Sequence, residues 1–370
     1  MIKIIRLLIL ILVFWNIPGF SLVNFGEISG AFFSVITFFL IISYSIITKT
    51  IFKNNTYLIL GAVYFLIAGI NDFSSYNLLI PVAIKYMLFV FFGTTIIKHT
   101  SIAELFYVIL FGAFSLFVEA FLLQTNVSGR YSGFYLNPNA AGFVLMIGFV
   151  VSLFVKSKLM KILGQIIFVI AGFFTFSRTF LVLLLLINAI TIFISIRNVY
   201  KLFIGISLFA VFVTFNSIVN LDIKRLNSFS SLLEGKVSEE LGQDSRTETW
   251  AGYYLQIYDK PIFGNGYLSF SGKTIGYGTN EISVQGVHNT FLMILGESGI
   301  LVFLFLVYMY LSVIFYSYKE FRKKPILLLC SLTTVLYLLT THNYFDNYII
   351  LFISIWIFKQ IQNKDKLIIS

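Results

Sequence analysis

Long apolar runs alternate with short polar connections over most of this chain. A run of roughly 20 apolar residues that folds as a helix crosses the hydrocarbon core of a bilayer. Lipid offers the backbone no hydrogen-bond partner, and the runs are continuous rather than alternating, so helices are predicted and a β-barrel is not. We predict an all-α, polytopic membrane protein with about twelve transmembrane helices, near residues 4–22, 28–48, 56–71, 77–97, 102–124, 138–155, 159–176, 179–196, 201–219, 288–317, 326–342 and 345–359.

One polar stretch is much longer than the others. It covers residues 220–287 and predicts one large loop between two groups of membrane helices. The predicted organisation is therefore transmembrane helices 1 to 9 in residues 1–219, the loop in 220–287, and transmembrane helices 10 to 12 in 288–370.

A short helix is predicted within this loop. Ser245-Arg246-Thr247-Glu248 has the spacing of a capping box, and Asp259-Lys260-Pro261 is a stop signal. Between the two signals, helical spacing predicts one apolar face, which we expect on the membrane surface or against the helix bundle. The residues expected on that face are Trp250, Tyr254, Ile257 and Tyr258.

The basic residues predict the orientation in the membrane. With a cytoplasmic amino terminus, seventeen lysines and arginines fall on the cytoplasmic side, and only Arg130 and Arg178 fall in short outer loops. Cytoplasmic connections normally carry such an excess. Both termini are therefore predicted to be cytoplasmic, and the 220–287 loop extracytoplasmic. The first run begins like a signal peptide, but no small-residue cleavage site follows it, so we expect it to remain as the first span.

Composition narrows the possible partners. Hydrophobic residues make up 58% of the chain and charged residues 11%, too little polar surface for a soluble globule. The net charge of +10 is accounted for by the lysines and arginines predicted on the cytoplasmic side, which suit a lipid bilayer with anionic headgroups, and no nucleic acid partner is expected.

Cys330 is the only cysteine, so neither a disulfide nor a cysteine metal cluster is available. No histidine and carboxylate spacing forms a metal shell, so no metal and no cofactor are expected.

Three arginines are predicted on the outer side. They are Arg130, Arg178 and Arg246, the last at the start of the loop helix. Guanidinium groups match phosphate oxygens in bidentate geometry, so several of them converging would bind a pyrophosphate, and a helix N-terminus would assist. The alternative for any one of them is a snorkelling side chain or a pair with a loop carboxylate.

The chain has three histidines, and one is a candidate base. His288 is predicted at the outer start of the tenth span, where a neutral imidazole could take a proton from a sugar hydroxyl. Considered alone, a histidine in this position is more often structural than catalytic. We expect His342, at an outer helix end, to be structural rather than functional, and His99 to be a solvated loop residue.

Two carboxylates are predicted inside membrane spans. Glu119 lies in the fifth span and Glu297 in the tenth. Ionisable groups at this depth usually mark function, and they leave a proton-coupled transporter open as an alternative.

Four segments together resemble the O-antigen ligase and O-antigen polymerase superfamily of bacterial surface-polysaccharide enzymes. They are Arg130 to Asn139 with the following alanines, Ser177-Arg178-Thr179, Arg246 to Gly266, and His288-Asn289 followed by Glu297-Ser298-Gly299. Their order and the large loop before His288 are similar to the family pattern, over about residues 126–300.

The resemblance implies a GT-C-like, metal-independent, inverting membrane glycosyltransferase that uses an undecaprenyl-diphosphate-linked oligosaccharide as donor. Carried over by position, Arg178 and Arg246 would bind the donor diphosphate, with Arg130 as a third partner, and His288 would be the catalytic base. Glu297 and Asn289 would support them. We expect a repeat-unit polymerase of O-antigen or capsule in the bacterial inner membrane, with a chain-length regulator and a flippase as candidate partners.

Two alternatives remain open at this point. An O-antigen ligase that moves finished glycan to lipid A core uses the same donor chemistry. A polysaccharide flippase or other transporter would instead depend on Glu119 and other intramembrane charges, and His288 would be dispensable.

Cysteine labelling tests the predicted orientation. In a Cys330→Ser background, Ser238→Cys and Ser271→Cys should react with membrane-impermeant thiol reagents on intact cells, because both positions are predicted in the outer loop. Ser157→Cys should react only after the membrane is permeabilised. Labelling of Ser157→Cys alone on intact cells would invert the predicted topology.

Overall fold

The computed structural model describes residues 2–49, 54–71, 75–123, 130–194, 199, 205, 246–272 and 286–362. Within these ranges the regular elements are helices and no strand occurs, as the apolar runs predict. The α-helices are α1 (Ile2–Phe14), α2 (Ile17–Phe25), α3 (Glu27–Ile47), α4 (Asn55–Asn71), α5 (Tyr76–His99), α6 (Ile102–Val118), α7 (Pro138–Ser152), α8 (Lys158–Phe174), α9 (Arg178–Ile194), α10 (Arg246–Asp259), α11 (Thr290–Lys319), α12 (Pro325–Leu338) and α13 (Tyr348–Gln362). A π-helical turn (Glu119–Leu123) continues α6, and a 3-10 turn (Gly133–Tyr135) precedes α7.

These helices overlap eleven of the twelve predicted spans. The ninth, 201–219, falls outside the described residues except for one position. Four of the described helices are long and apolar enough to cross a membrane, or five spans if the bent pair α1 and α2 counts as one, and five shorter apolar helices accompany them. The helices support a membrane protein, whereas the number twelve and the GT-C-like fold stay predictions.

The first predicted span is two helices rather than one. The axes of α1 and α2 differ by 54°. Asn16 between them adopts a left-handed conformation, φ 47°, and Pro18 follows in the first turn of α2. Proline removes a backbone donor and cannot continue the hydrogen bonds of the preceding helix, so the chain bends there.

Large apolar side chains cover the surface of the described helices. Phe193 is 90% exposed, Ile28 89% and Leu122 76%. Water does not tolerate so much contiguous apolar surface on a monomeric protein, whereas lipid does. This surface agrees with the membrane character that composition predicts.

The chain divides into two compact units, and each is described by itself. The first comprises residues 1–6, 38–99 and 245–367. In it α4 packs against α5 and α11, and α13 packs against α5 and α12. Its centre is aromatic, because the rings of Tyr64 and Phe345 stack with centroids 3.8 Å apart, and Phe65 and Tyr86 meet Phe345 edge-on.

The second unit comprises residues 7–37, 100–244 and 368–370. Its central helix is α7, whose side chains are nearly all buried between α6, α8 and α9. Gly142 faces Ser177 and Phe180, and Gly148 faces Phe168, at distances that a larger residue would not allow. Small residues permit this close packing of apolar helices.

Helix α10 lies where the sequence predicts a loop helix, and it ends at the predicted stop, Asp259. Its expected cap, Ser245, lies outside the described residues. The buried aromatic residue is Tyr253, which meets Phe270 at 4.9 Å between ring centroids, whereas Tyr254 and Tyr258 are 40% and 79% exposed. Trp250 and Ile257 of the expected face are half-buried, so part of that face packs against the protein and the rest of it is exposed.

Candidate functional site

Helix α11 is broken at the motif that the sequence analysis singles out. Gly299 within it has φ 79° and ψ −175°, which is not helical. Only glycine adopts this backbone region readily. The break therefore requires glycine at this position. It also leaves one backbone N–H and one backbone carbonyl of α11 without their intrahelical hydrogen-bond partners.

The loop segment 261–266 satisfies those groups. In an unbroken helix the Ile300 N–H would donate to the Gly296 carbonyl. Here the Ile300 N–H donates to the Pro261 carbonyl at 2.9 Å, and the Gly296 carbonyl accepts from the Asn265 N–H at 2.7 Å. The Glu297 carbonyl likewise accepts from the Gly266 N–H at 3.1 Å. The turn after α10 thus completes the hydrogen bonding of α11.

Two glycines allow the two backbones to approach this closely. A Cβ atom at Gly264 would overlap the backbone of Glu297, and one at Gly299 would overlap the Ile262 carbonyl. The Asn265 side chain then joins three parts, since its Nδ2 donates to the Gln256 carbonyl of α10 at 2.8 Å and to the Gly296 carbonyl at 3.1 Å. Sequence motifs far apart in the chain therefore form one structure.

Glu297 is buried at this break and has several donors. The Tyr64 hydroxyl of α4 donates to its Oε2, and the Phe270 N–H donates to its Oε1 at 3.3 Å. The Leu268 N–H is a further donor. This carboxylate joins α4, α11 and the segment that follows α10, which is a positioning role.

His288 immediately precedes α11 and meets a second histidine. Its backbone has φ 45°, a left-handed value that non-glycine residues seldom adopt and that is common at functional sites. The rings of His288 and His342 meet edge to face with centroids 4.7 Å apart. Asn289 caps α11 by accepting from the Phe291 and Leu292 N–H groups.

His342 lies in the connection between α12 and α13, outside both helices. The Thr290 hydroxyl donates to the Thr341 carbonyl at 2.9 Å and holds this connection against the start of α11. Burial and, to a smaller extent, the neighbouring His288 together lower the pKa of His342 to about 4. A neutral ring therefore faces His288 at physiological pH, and it does not oppose a positive charge on His288 as a second cation would.

A cavity of about 150 Å³ adjoins this histidine. Helices α4, α5 and α11, the segment after α10, and the α12 to α13 connection all contribute to its wall. The lining residues are Tyr64, Val82, Tyr267, Leu268, Ser271, Met293, Glu297, His342, Asn343, Phe345 and Asp346. Most of the exposed area of the wall is apolar, but the wall also contains polar side chains and two carboxylates.

In the second unit, Arg130 lies beside the turn that carries Arg178. Arg130 donates through Nε to the Thr175 carbonyl and through Nη2 to the Asn139 Oδ1, each at 3.0 Å. The same Oδ1 atom accepts from the Ser177 hydroxyl at 3.0 Å. Arg178, the first residue of α9, is exposed. Arg130 therefore holds the turn in place, and Arg178 projects from it.

Glu119 has a structural explanation in the same unit. Its Oε2 accepts from the Ser132 N–H at 2.7 Å and from the Gly133 N–H at 2.6 Å. Glu119 is the first residue of the π-helical turn, and its carboxylate supports the loop at Ser132 and Gly133.

Arg246 is the first residue of α10, but its side chain lies outside the described residues. Arg246, His288, Glu297 and Asn289 belong to the first unit, whereas Arg130 and Arg178 belong to the second. Among the described residues, no group of three histidine, cysteine, aspartate or glutamate side chains is arranged to hold a metal.

Two residues of the first-unit site, Tyr64 and Asp346, were not identified from the sequence, and His342 was expected to have a structural role. Tyr64 and Asp346 carry no motif, so no sequence signal marks them. His342 carries one, because His342-Asn343 repeats the dipeptide His288-Asn289. His99, expected in a solvated loop, instead ends α5, half-buried, with its Nδ1 3.1 Å from the Tyr44 hydroxyl.

The described helices and the paired histidines define a helical membrane protein with a polar site on one of its units. Residues 163–307 match the family model described as O-antigen ligase, and this match confirms the resemblance to the O-antigen ligase and polymerase superfamily. The matched region contains Arg178, Arg246, His288 and Glu297. No curated protein matches the chain.

Gly299→Ala tests the backbone exchange at the break in α11. The variant should lose roughly 1–3 kcal/mol of stability from backbone strain alone, and the overlap with Ile262 adds to this cost. Gly252→Ala on α10 is the matched control, because nothing lies within 4 Å of its added Cβ. Thermal unfolding in detergent should show a lower midpoint for Gly299→Ala only. Equal midpoints for the two variants would contradict this account of the break.

Proposed function

We propose that the protein is an inverting, metal-independent membrane glycosyltransferase that joins oligosaccharide repeat units of an O-antigen or capsule. Its donor would be an undecaprenyl-diphosphate-linked oligosaccharide, used on the outer face of the bacterial inner membrane. The observation that supports this function best is His288, which lies within the O-antigen ligase match and contacts a half-buried, neutral histidine beside a cavity that contains polar groups.

His288 would act as the base. The acceptor hydroxyl oxygen attacks the anomeric carbon of the donor, and its proton passes to the imidazole. The new carbon–oxygen bond forms as the bond from the anomeric carbon to phosphate oxygen breaks, and undecaprenyl diphosphate leaves with that electron pair. Attack opposite the leaving group inverts the anomeric configuration. A neutral His342 suits this role, because it lets His288 accept the proton without a second positive charge alongside.

Arg178 and Arg246 would stabilise the departing diphosphate. The leaving group carries its negative charge without protonation when guanidinium groups bind it. Arg178 is exposed at the start of α9 and accessible to such a ligand, and Arg246 begins α10, where the helix N-terminus adds positive potential. Two N–H groups of Arg130 donate hydrogen bonds to the Thr175 carbonyl and to Asn139, next to the turn that bears Arg178. We therefore propose that Arg130 positions Arg178 and does not itself bind the diphosphate.

The ligase that transfers finished glycan to lipid A core is the second candidate. It is favoured by one observation, the description of the matching family as O-antigen ligase. Both reactions use the same donor and the same base. The transporter alternative is weaker, because the carboxylate on which it depends, Glu119, is hydrogen-bonded to two backbone N–H groups.

His288→Ala tests the catalytic assignment. Chain extension should fall by about 100- to 10,000-fold, the usual contribution of a general base, while the protein still inserts in the membrane. The readout is the length distribution of surface glycan in a null strain that expresses the variant. A polymerase defect gives single-repeat glycan, and a ligase or transport defect gives none.

His99→Ala is the matched control, since it removes a histidine of the same unit that lies outside the site. It should preserve wild-type chain lengths. Wild-type chain lengths in His288→Ala would overturn the proposed function.

Arginine variants test the diphosphate assignment separately. Arg178→Ala and Arg246→Ala should each stop chain extension, and Arg178→Lys and Arg246→Lys should restore it only in part, because ammonium groups cannot bind phosphate in the bidentate geometry. Lys260→Ala, which removes an exposed cation after α10, should behave like wild type. Full activity in both alanine variants would remove these residues from the donor site.

A further inference from the structure

The cavity beside His342 has an unusual charge for an enzyme whose donor is a diphosphate. Its lining contains two carboxylates, Glu297 and Asp346, and neither lysine nor arginine. Phosphate groups would be repelled by such a wall. The cavity is therefore unsuited to the donor diphosphate, although it adjoins the proposed base.

The same wall suits a sugar ring. Sugar hydroxyls donate hydrogen bonds to carboxylate and amide oxygens, which Asp346 and Asn343 provide, and they accept from hydroxyls such as that of Ser271. The apolar face of a sugar can pack on the ring of Tyr267. The volume of about 150 Å³ greatly exceeds the roughly 10–15 Å³ that one water needs.

Glu297 and Asp346 have different parts in this wall. Glu297 is buried and accepts from Tyr64 and from backbone groups, so it holds the wall together. The side chains of Asp346 and Asn343 are exposed, which leaves them accessible to a ligand that enters the cavity, although the atoms packed around the Asp346 carboxyl raise its pKa. Tyr267 lines the cavity together with both carboxylates, and its pKa is raised by burial and by the charges of Asp346 and Glu297.

The cavity also connects to the proposed base through one residue. His342 is part of its wall, and the His342 ring contacts the His288 ring at 4.7 Å between centroids. Asn343 follows His342 in the sequence, and both residues line the cavity. A sugar bound by Asn343 and Asp346 therefore lies beside the histidine that contacts His288.

We propose that this cavity is the acceptor subsite and that it selects a sugar unit without a carboxylate or phosphate, either neutral or an amino sugar. Asp346 and Asn343 bind the hydroxyl or ammonium groups of that sugar, and Asp346 excludes anionic sugars by charge. The assignment rests on the proposed glycosyl transfer, and it adds the class of acceptor that the site takes.

The test separates acceptor from donor with a probe that lacks a diphosphate. The probe is the free repeat-unit oligosaccharide released from the native glycan, added with lipid-linked donor to the full chain in proteoliposomes. Asp346→Ala and Asn343→Ala should each raise the KM for the probe about tenfold or more, because each variant loses a hydrogen bond to the sugar. Neither variant should change the KM for the donor. Asp259→Ala, which removes an exposed carboxylate outside the cavity, is the matched control.

Competition defines the class of sugar. Methyl glucoside and methyl glucosaminide should inhibit transfer to the probe at lower concentrations than methyl glucuronide. Asp346→Asn, which keeps the shape and removes the charge, should make the glucuronide as effective as the glucoside. Equal inhibition by the three glycosides in the wild type would overturn the selectivity for sugars without a carboxylate.

The outcomes distinguish this assignment from the proposed function. Unchanged probe KM in Asp346→Ala and Asn343→Ala, with His288→Ala inactive, would overturn the acceptor subsite and leave the transferase. Transfer at the wild-type rate by His288→Ala would overturn the function itself. If Asp346→Ala fails to fold, Asp346→Asn with the glycoside competition decides the assignment alone.

Discussion

The first unit depends on an exchange of backbone hydrogen bonds between α11 and the turn that follows α10. Gly299 interrupts the helix, and the Pro261 carbonyl and Asn265 N–H take the places of the missing intrahelical partners. An unpaired backbone group in an apolar surrounding costs several kcal/mol, so neither segment is stable alone in this form. The positions of Glu297, of the cavity wall and of the end of α10 follow from this one contact.

Motif residues near the site consequently divide into two kinds. Gly264, Gly299 and Asn265 are required by the close approach of two backbones and have no chemical part in the proposed reaction. His288 is different, because its backbone has a left-handed conformation and its ring contacts the ring of another histidine. A strained histidine next to a helix cap is costly to maintain, and the proposed proton transfer gives a reason for it.

The sequence predicted the helices well, since long apolar runs in lipid have few alternatives. It also predicted a loop helix that ends at Asp259. It did not single out Tyr253 as the buried tyrosine of α10, because Tyr253 and Tyr254 have similar polarity and only the position of Phe270 decides between them. Tyr64 and Asp346 escaped notice for a related reason. Their importance comes from long-range proximity to Glu297 and the cavity, which hydropathy and motif spacing do not encode.

Helix α10 carries Leu255 and Tyr258 on its exposed side, 59% and 79% accessible, and its last turns are tied to α11 through Asn265. Aromatic and aliphatic side chains on such a helix prefer the boundary between headgroups and acyl chains. With that side at the boundary, the hydrogen-bonded junction between α10 and α11 would fix how far the cavity lies from the aqueous phase.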